Sequence, residues 1–163
     1  MTIKTIVFPS SANPPTYGHL DVLVRLTKLF DKVIWAIADN THKTYLFNLE
    51  QRLKLARLSL EDIKLKGVEV MKVEGSVAHM AVSVGAMALA RSLRGAEDYA
   101  LEKELAFGNS LIAPELETII VMSRPQFSAM SSSLARELFS LKMPLKEFVT
   151  PSVEKEMKKI IDS

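Results

Sequence analysis

Residues 3–40, IKTIVFPSSANPPTYGHLDVLVRLTKLFDKVIWAIADN, decide the fold. Two short runs rich in β-branched and aromatic residues, IKTIVF (residues 3–8) and KVIWAIA (residues 32–38), flank a stretch of helical period. Between residues 18 and 30, Leu20, Leu23, Val24, Thr27 and Phe30 fall on one side, and Asp21, Arg25 and Lys28 follow at i, i+4 and i+7 on the other. That spacing predicts an amphipathic helix with a charged, solvated face. Strands that are apolar on both faces, joined by a crossover helix, predict a parallel pair with a right-handed connection.

The same alternation runs outward along the chain. VEVMKV (68–73), AMALARSL (86–93) and ETIIVMS (117–123) are three further strand-like runs, separated by segments of helical period. NLEQRLKLARLSLEDI opens with Asn48 and Gln51 at capping-box spacing. SVAHMAVSV, EDYALEKELAFGNSLI and SSSLARELFS supply three more helices, with His79 expected to be a packed histidine inside an apolar face. TPSVEKEMKKIIDS predicts a terminal helix over about 151–162, with Pro151 in its first turn and Val153, Met157, Ile160 and Ile161 on an apolar side. The order predicts one α/β domain over 1–163, a doubly wound five-stranded parallel sheet.

Composition limits the function classes. At 163 residues, 48% hydrophobic and 25% charged, the chain reads as one ordinary globular domain. A formal net charge of +2 gives no bulk attraction to nucleic acid or to an anionic membrane, so any phosphate must be held by a few placed cations. The absence of cysteine excludes disulfides, thiolate metal sites and Cys nucleophiles, and suits a reducing cytoplasm. The first apolar run is too short for a signal peptide and no stretch reaches membrane-span length, so no membrane partner is expected and the cytoplasm is the expected location.

Ligands of doubly wound sheets sit beyond the C-terminal ends of the strands, where strand order reverses, and the unusual residues lie there. After the first strand, Gly18 and His19 stand at a helix N-terminus, where free N–H groups and the helix dipole attract an anion; a surface turn with a capping His is the plainer reading. The glycines of a Walker or dinucleotide loop are missing. After the second strand come His42 and Lys43, which could equally be solvated. Arg91 and Arg94 end the fourth, either to grip phosphate oxygens or to pair with Glu97, Asp98 or Glu102. After the fifth, Ser131, Ser132 and Ser133 open a helix, where a simple cap needs one serine. Cations, hydroxyls and helix N-termini without a carboxylate cluster suit phosphoryl or nucleotidyl transfer, with His19, Lys43, Arg91 and Arg94 as electrostatic stabilisers.

On these residues the sequence resembles the bacterial phosphopantetheine adenylyltransferases, nucleotidyltransferases marked by a (H/T)xGH motif that reads TYGH here, at residues 16–19. TYGHLDVLVRLTKLFDKVIWAIADN looks like that family's first helix and second strand, and HKTYLFNLEQR like its lysine loop. RSLRGAEDYALEKELAFGNSLIAPELETIIVM resembles its RGLR segment and long helix, and FSAMSSSLARE its triple-serine motif. The resemblance implies a Rossmann-like nucleotidyltransferase fold and adenylyl transfer from ATP, with Mg2+ carried on the nucleotide, to 4'-phosphopantetheine, giving dephospho-CoA, the precursor of CoA, and pyrophosphate. It implies catalytic roles for His19, Lys43 and Arg94, and acceptor contacts from Ser11, Lys43, Val77 and Arg91. ATP contacts are implied for Ser11, Ala12, His19, Ser92, Leu93, Arg94 and Glu102, and along the segment Phe127, Ser128, Ala129, Met130, Ser131, Ser132 and Ser133. Hexamers are also implied.

The chain departs from the family's PGTFDP loop at Ser10, Ser11, Ala12 and Asn13, and from RGLR at Ser92. Ser10 is expected to restrict a backbone that glycine leaves free. These departures keep two alternatives open, a nicotinate or nicotinamide mononucleotide adenylyltransferase and a nucleotide-binding homologue that has lost transfer activity.

Overall fold

A computed structural model describes residues 3–40 and 43–162. Five parallel strands form its sheet, β1 (Thr5–Ser10), β2 (Lys32–Ile37), β3 (Val68–Lys72), β4 (Ala88–Leu93) and β5 (Glu117–Met122), in the order β3-β2-β1-β4-β5. The helices are α1 (Tyr17–Leu26), α2 (Leu49–Asp62), α3 (Val77–Ser83), α4 (Ala96–Ile112), α5 (Ser132–Ser140) and α6 (Pro151–Asp162), with one 3-10 turn at Pro125–Phe127. The chain winds from β1 outward to β3, then crosses back to β4 on the other side of β1. The reversal between β1 and β4 opens a crevice at their C-terminal ends.

Burial follows position in the sheet. The central strands β1 and β2 are covered on both sides, with Ile6, Val7 and every residue from Val33 to Ile37 fully buried. Alternate residues feed two cores: Ile6, Phe8, Val33 and Trp35 pack under α1 and α2, while Val7, Ile34, Ala36 and Leu89 pack against Ala78 and Ala81 of α3. A third cluster joins α6 to α2 through Leu55, Leu145, Val149, Val153 and Met157, and Ile161, expected on the packed side of α6, is exposed. At the β5 edge Ile119, Ile120 and Met122 stay exposed, as do Tyr99, Leu101, Phe107 and Leu111 of α4.

Three local expectations change. The first helix ends at Leu26, four residues before Phe30, in a turn where Leu29 and Phe30 donate N–H to Leu26 O. Asp21 is buried: its carboxylate receives Arg25 Nη1 at 3.3 Å from its own helix and Arg124 Nη1 at 3.1 Å from beyond β5. His79 is exposed, because the short α3 turns Ala78, Met80 and Ala81 inward and leaves the residue between them outside.

Candidate active site

A cavity of about 690 Å³ lies over the reversal between β1 and β4 and is walled by the loops that follow all five strands. Its wall includes Ser11, Ala12, Gly18 and His19 from the first loop, Lys43 from the second and Val77 from the third. The β4 end adds Arg91, Ser92 and Arg94, with Glu102 from α4; Phe127, Met130, Ser131, Ser132 and Ser133 close the far side. Leu93, Ser128 and Ala129 are not on this wall. Leu93 is buried within the protein, and the Ser128 hydroxyl donates to Pro125 O inside its own turn. His42 lies outside the described residues.

His19 occupies the third position of α1, one turn above its Thr16 N-cap, and its ring reaches back so that Thr16 N–H donates to Nδ1 at 3.0 Å. Thr16 Oγ1 stands 3.0 Å from the same nitrogen. A nitrogen that accepts an N–H carries no proton, so the neutral ring bears its proton on Nε2. Burial, and after it the positive charge of Arg94, holds the imidazole pKa down to about 4. At neutral pH the site therefore offers an uncharged N–H donor whose tautomer is set by the helix cap.

The two arginines of β4 are engaged by α4. Arg91 makes a fork-to-fork pair with Glu102, Nε to Oε2 at 2.5 Å and Nη2 to Oε1 at 2.9 Å. Arg94 pairs with Asp98 through its side chain and its backbone N–H, which holds the Asp98 carboxyl below the usual range. Of the two alternatives considered for these arginines, the ion pairs form, with Glu102 and Asp98, and all four residues line the cavity. The carboxylates fix the guanidinium planes and leave their remaining N–H groups for an anion.

Several supporting residues carry little signal of their own in the sequence. Arg52, on α2, is fully buried and donates to the carbonyls of Phe47 (3.1 Å), Ser11 (2.9 Å) and Ala38 (2.8 Å) and to Asp39 Oδ1 (2.5 Å), with the Tyr45 ring 4.0 Å away. One side chain thereby ties the loops after β1 and β2. Helical period was the usable clue, because Leu49, Arg52, Leu53, Ala56 and Leu60 form one stripe. Arg136 donates to Asn13 O at 2.5 Å and to Ser133 Oγ at 3.2 Å, and it lines the cavity.

The departures from the family loop also find partners. Asn13 is buried and its Oδ1 accepts Phe47 N–H at 3.2 Å. Ser10 closes β1 in ordinary extended backbone, so no glycine-like conformation is needed there; its hydroxyl accepts the Trp35 indole N–H at 2.8 Å. Ala12 is the residue of this loop with positive φ, at 46°. Among the three serines, Ser131 caps α5 by accepting Leu134 N–H, Ser132 donates to Pro14 O, and Ser133 receives Arg136.

A family model for cytidylyltransferase-like proteins matches residues 7–138. Phosphopantetheine adenylyltransferase from Desulfitobacterium hafniense is 39% identical over 157 residues, covering 96% of this chain and 95% of that protein. The enzyme of the same name from Coprothermobacter proteolyticus is 34% identical, covering 96% of each chain. Among solved structures, a Vibrio parahaemolyticus protein described as a nicotinate-nucleotide adenylyltransferase superposes with a TM-score of 0.76 at 17% identity, covering 97% of this chain and 93% of that one. Plasmodium falciparum nicotinic acid mononucleotide adenylyltransferase, complexed with NaAD, superposes at 0.72 with 12% identity, covering 98% and 96%. At such identities the structural likeness speaks for the fold.

Proposed function

We infer the reaction from one premise: the chain belongs to the phosphopantetheine adenylyltransferases, within the cytidylyltransferase-like family. It transfers the adenylyl group of ATP to 4'-phosphopantetheine in coenzyme A synthesis. A phosphate oxygen of the acceptor bonds to the α-phosphorus, the bond from that phosphorus to the bridging oxygen breaks, and pyrophosphate leaves with dephospho-CoA as the other product. No nucleophile of the protein is required, so the chemistry rests on alignment and on charge stabilisation at the α-phosphate.

The observation that carries this assignment to residues is the His19 tautomer. Its Nε2–H donates to an α-phosphate oxygen, and a donor that is already neutral and oriented needs no proton rearrangement as charge builds. Lys43 and Arg94 supply positive charge to the ATP phosphates, and Arg91, held flat by Glu102, takes the acceptor's phosphate. Ser11 touches both substrates, the pantetheine arm runs along Val77, and Phe127, Met130 and the three serines enclose the nucleotide. Mg2+ arrives with ATP and offsets charge on its phosphates; the cavity's Asp39, Asp98 and Glu102 are already engaged by Arg52, Arg94 and Arg91 and form no three-ligand cluster among the described residues.

The exposed apolar residues of β5 and α4 support self-association, for which a hexamer is the assembly we propose. Among the described residues no helix is long and apolar enough to cross a membrane, and with the absence of cysteine this supports a cytoplasmic location.

Pyrophosphate release tests the reaction. Incubation with ATP, Mg2+ and 4'-phosphopantetheine should release it, nicotinate or nicotinamide mononucleotide should not, and His19→Ala should abolish it. Release with a pyridine mononucleotide alone would move the acceptor, and ATP binding without release to any acceptor would refute transfer.

A further inference from the structure

Register places Phe8 of β1 beside Trp35 of β2 on the same face of the sheet, beneath the first turn of α1. The His19 ring rests on both, with ring centroids 6.3 Å from Phe8 and 5.9 Å from Trp35. Phe8 reaches the cavity wall, whereas Trp35 is fully buried and lies off that wall, behind the imidazole. An indole has two faces and several rotamers, and one polar atom fixes which is used: Nε1–H donates to Ser10 Oγ at 2.8 Å. Ser10 stands where the family loop carries glycine, which has no acceptor to offer.

We propose that Trp35 and Ser10 together form a positioning unit for His19, in which the serine hydroxyl locks the indole and the indole backs the imidazole, fixing the direction of Nε2. Thr16 fixes the ring from the Nδ1 side, and the indole limits its tilt. Neither Trp35 nor Ser10 acts on the reacting atoms. This deepens the adenylyl-transfer reading and rests on it for the kinetic part alone. Arg94, paired with Asp98, is the charged group that acts on the imidazole, and the Arg91–Glu102 pair, Lys43, Arg136 and Asp39 line the same cavity.

Trp35 is the one tryptophan of the chain, so its emission reports on the unit directly. A protonated imidazole quenches a neighbouring indole. Emission of the protein should therefore titrate with a midpoint of about 4, and His19→Gln should remove that transition. Ser10→Ala should shift the midpoint upward as the loosened indole admits water, and should lower kcat by roughly tenfold or more while KM for ATP stays within about twofold. Ser10→Thr, which restores the hydroxyl, should recover most of both. Trp35→Phe keeps an aromatic face without the N–H and should match Ser10→Ala in kcat. A titration identical in wild type and His19→Gln, or a folded Ser10→Ala with wild-type midpoint and kcat, overturns the proposal. If wild type transfers no adenylyl group, the reaction reading fails, and the emission midpoints of wild type and Ser10→Ala still decide the positioning unit.

Discussion

Replacing Arg52 by methionine should cost the fold about 4 kcal/mol. Methionine spans much of the arginine's length but donates nothing, so the carbonyls of Phe47, Ser11 and Ala38 lose their guanidinium partner together. An orphaned buried polar group costs ~1–3 kcal/mol, and breaking a buried charged pair ~3–5. Two effects hold the estimate near the middle of the second range. The Asp39 carboxylate, 48% exposed, can rehydrate when its partner leaves, and removing the guanidinium also removes its own desolvation penalty. For a chain of this size ~4 kcal/mol lowers the thermal midpoint by roughly 8–16 °C. Equilibrium urea unfolding at pH 7 should show the loss in the midpoint with m unchanged. Arg52→Lys, which keeps the charge without the fork, should lose about half as much. A methionine variant within about 1 kcal/mol of wild type would mean that the three carbonyls find water at once, and the description of Arg52 as the tie between two active-site loops would be refuted.

The low pKa of His19 has a signature in stability. Its folded value, about 4, lies below the ordinary 6.5, so the unfolded chain binds the proton first as pH falls. The contribution is complete above pH 6.5, is lost as pH drops towards 4 and then levels, amounting to roughly 3 kcal/mol in all; urea unfolding of His19→Gln should lack that slope. In kinetics, Lys43→Ala and Arg94→Ala should each lower kcat by a larger factor than they raise KM for ATP. A raised KM at unchanged kcat would make both residues ground-state binders.

Much of the fold was legible because buried parallel strands are unbroken apolar runs, and KVIWAIA allows little else between two helical stretches. Strand ends then marked the site, since doubly wound sheets bind ligands there. What escaped the sequence depends on contacts from far along the chain. Asp21 and Arg25 have the spacing of a surface pair, and only Arg124, 103 residues away, turns the aspartate into a buried junction. Arg52 lies on its helix's apolar stripe, yet a charge there signals burial only once the carbonyls it serves are in place. His79 shows the opposite failure, because seven helical residues are too few for an apolar run to define which side faces inward. Leu93 was grouped with Ser92 and Arg94 as one turn, and its side chain is buried where theirs line the cavity, since consecutive residues at a strand end point opposite ways.

The junction at Asp21 also divides the cavity mechanically. Arg124 joins the start of the 123–133 segment to α1, Arg25 joins α1 to Met122 O at 2.7 Å, and Ser132 and Arg136 join the segment's far end to Pro14 and Asn13. The wall that would hold adenine is thus riveted at both ends to the loop and helix that carry His19. Arg91 and Arg94 are riveted to α4, and the contact from Arg91 to Pro9 O that crosses between the halves is long, at 3.4 Å. The two halves of the site are thus braced separately, the donor histidine and the 123–133 wall by one set of contacts and Arg91 and Arg94 by another, so a substitution that loosens one set leaves the partners of the other in place.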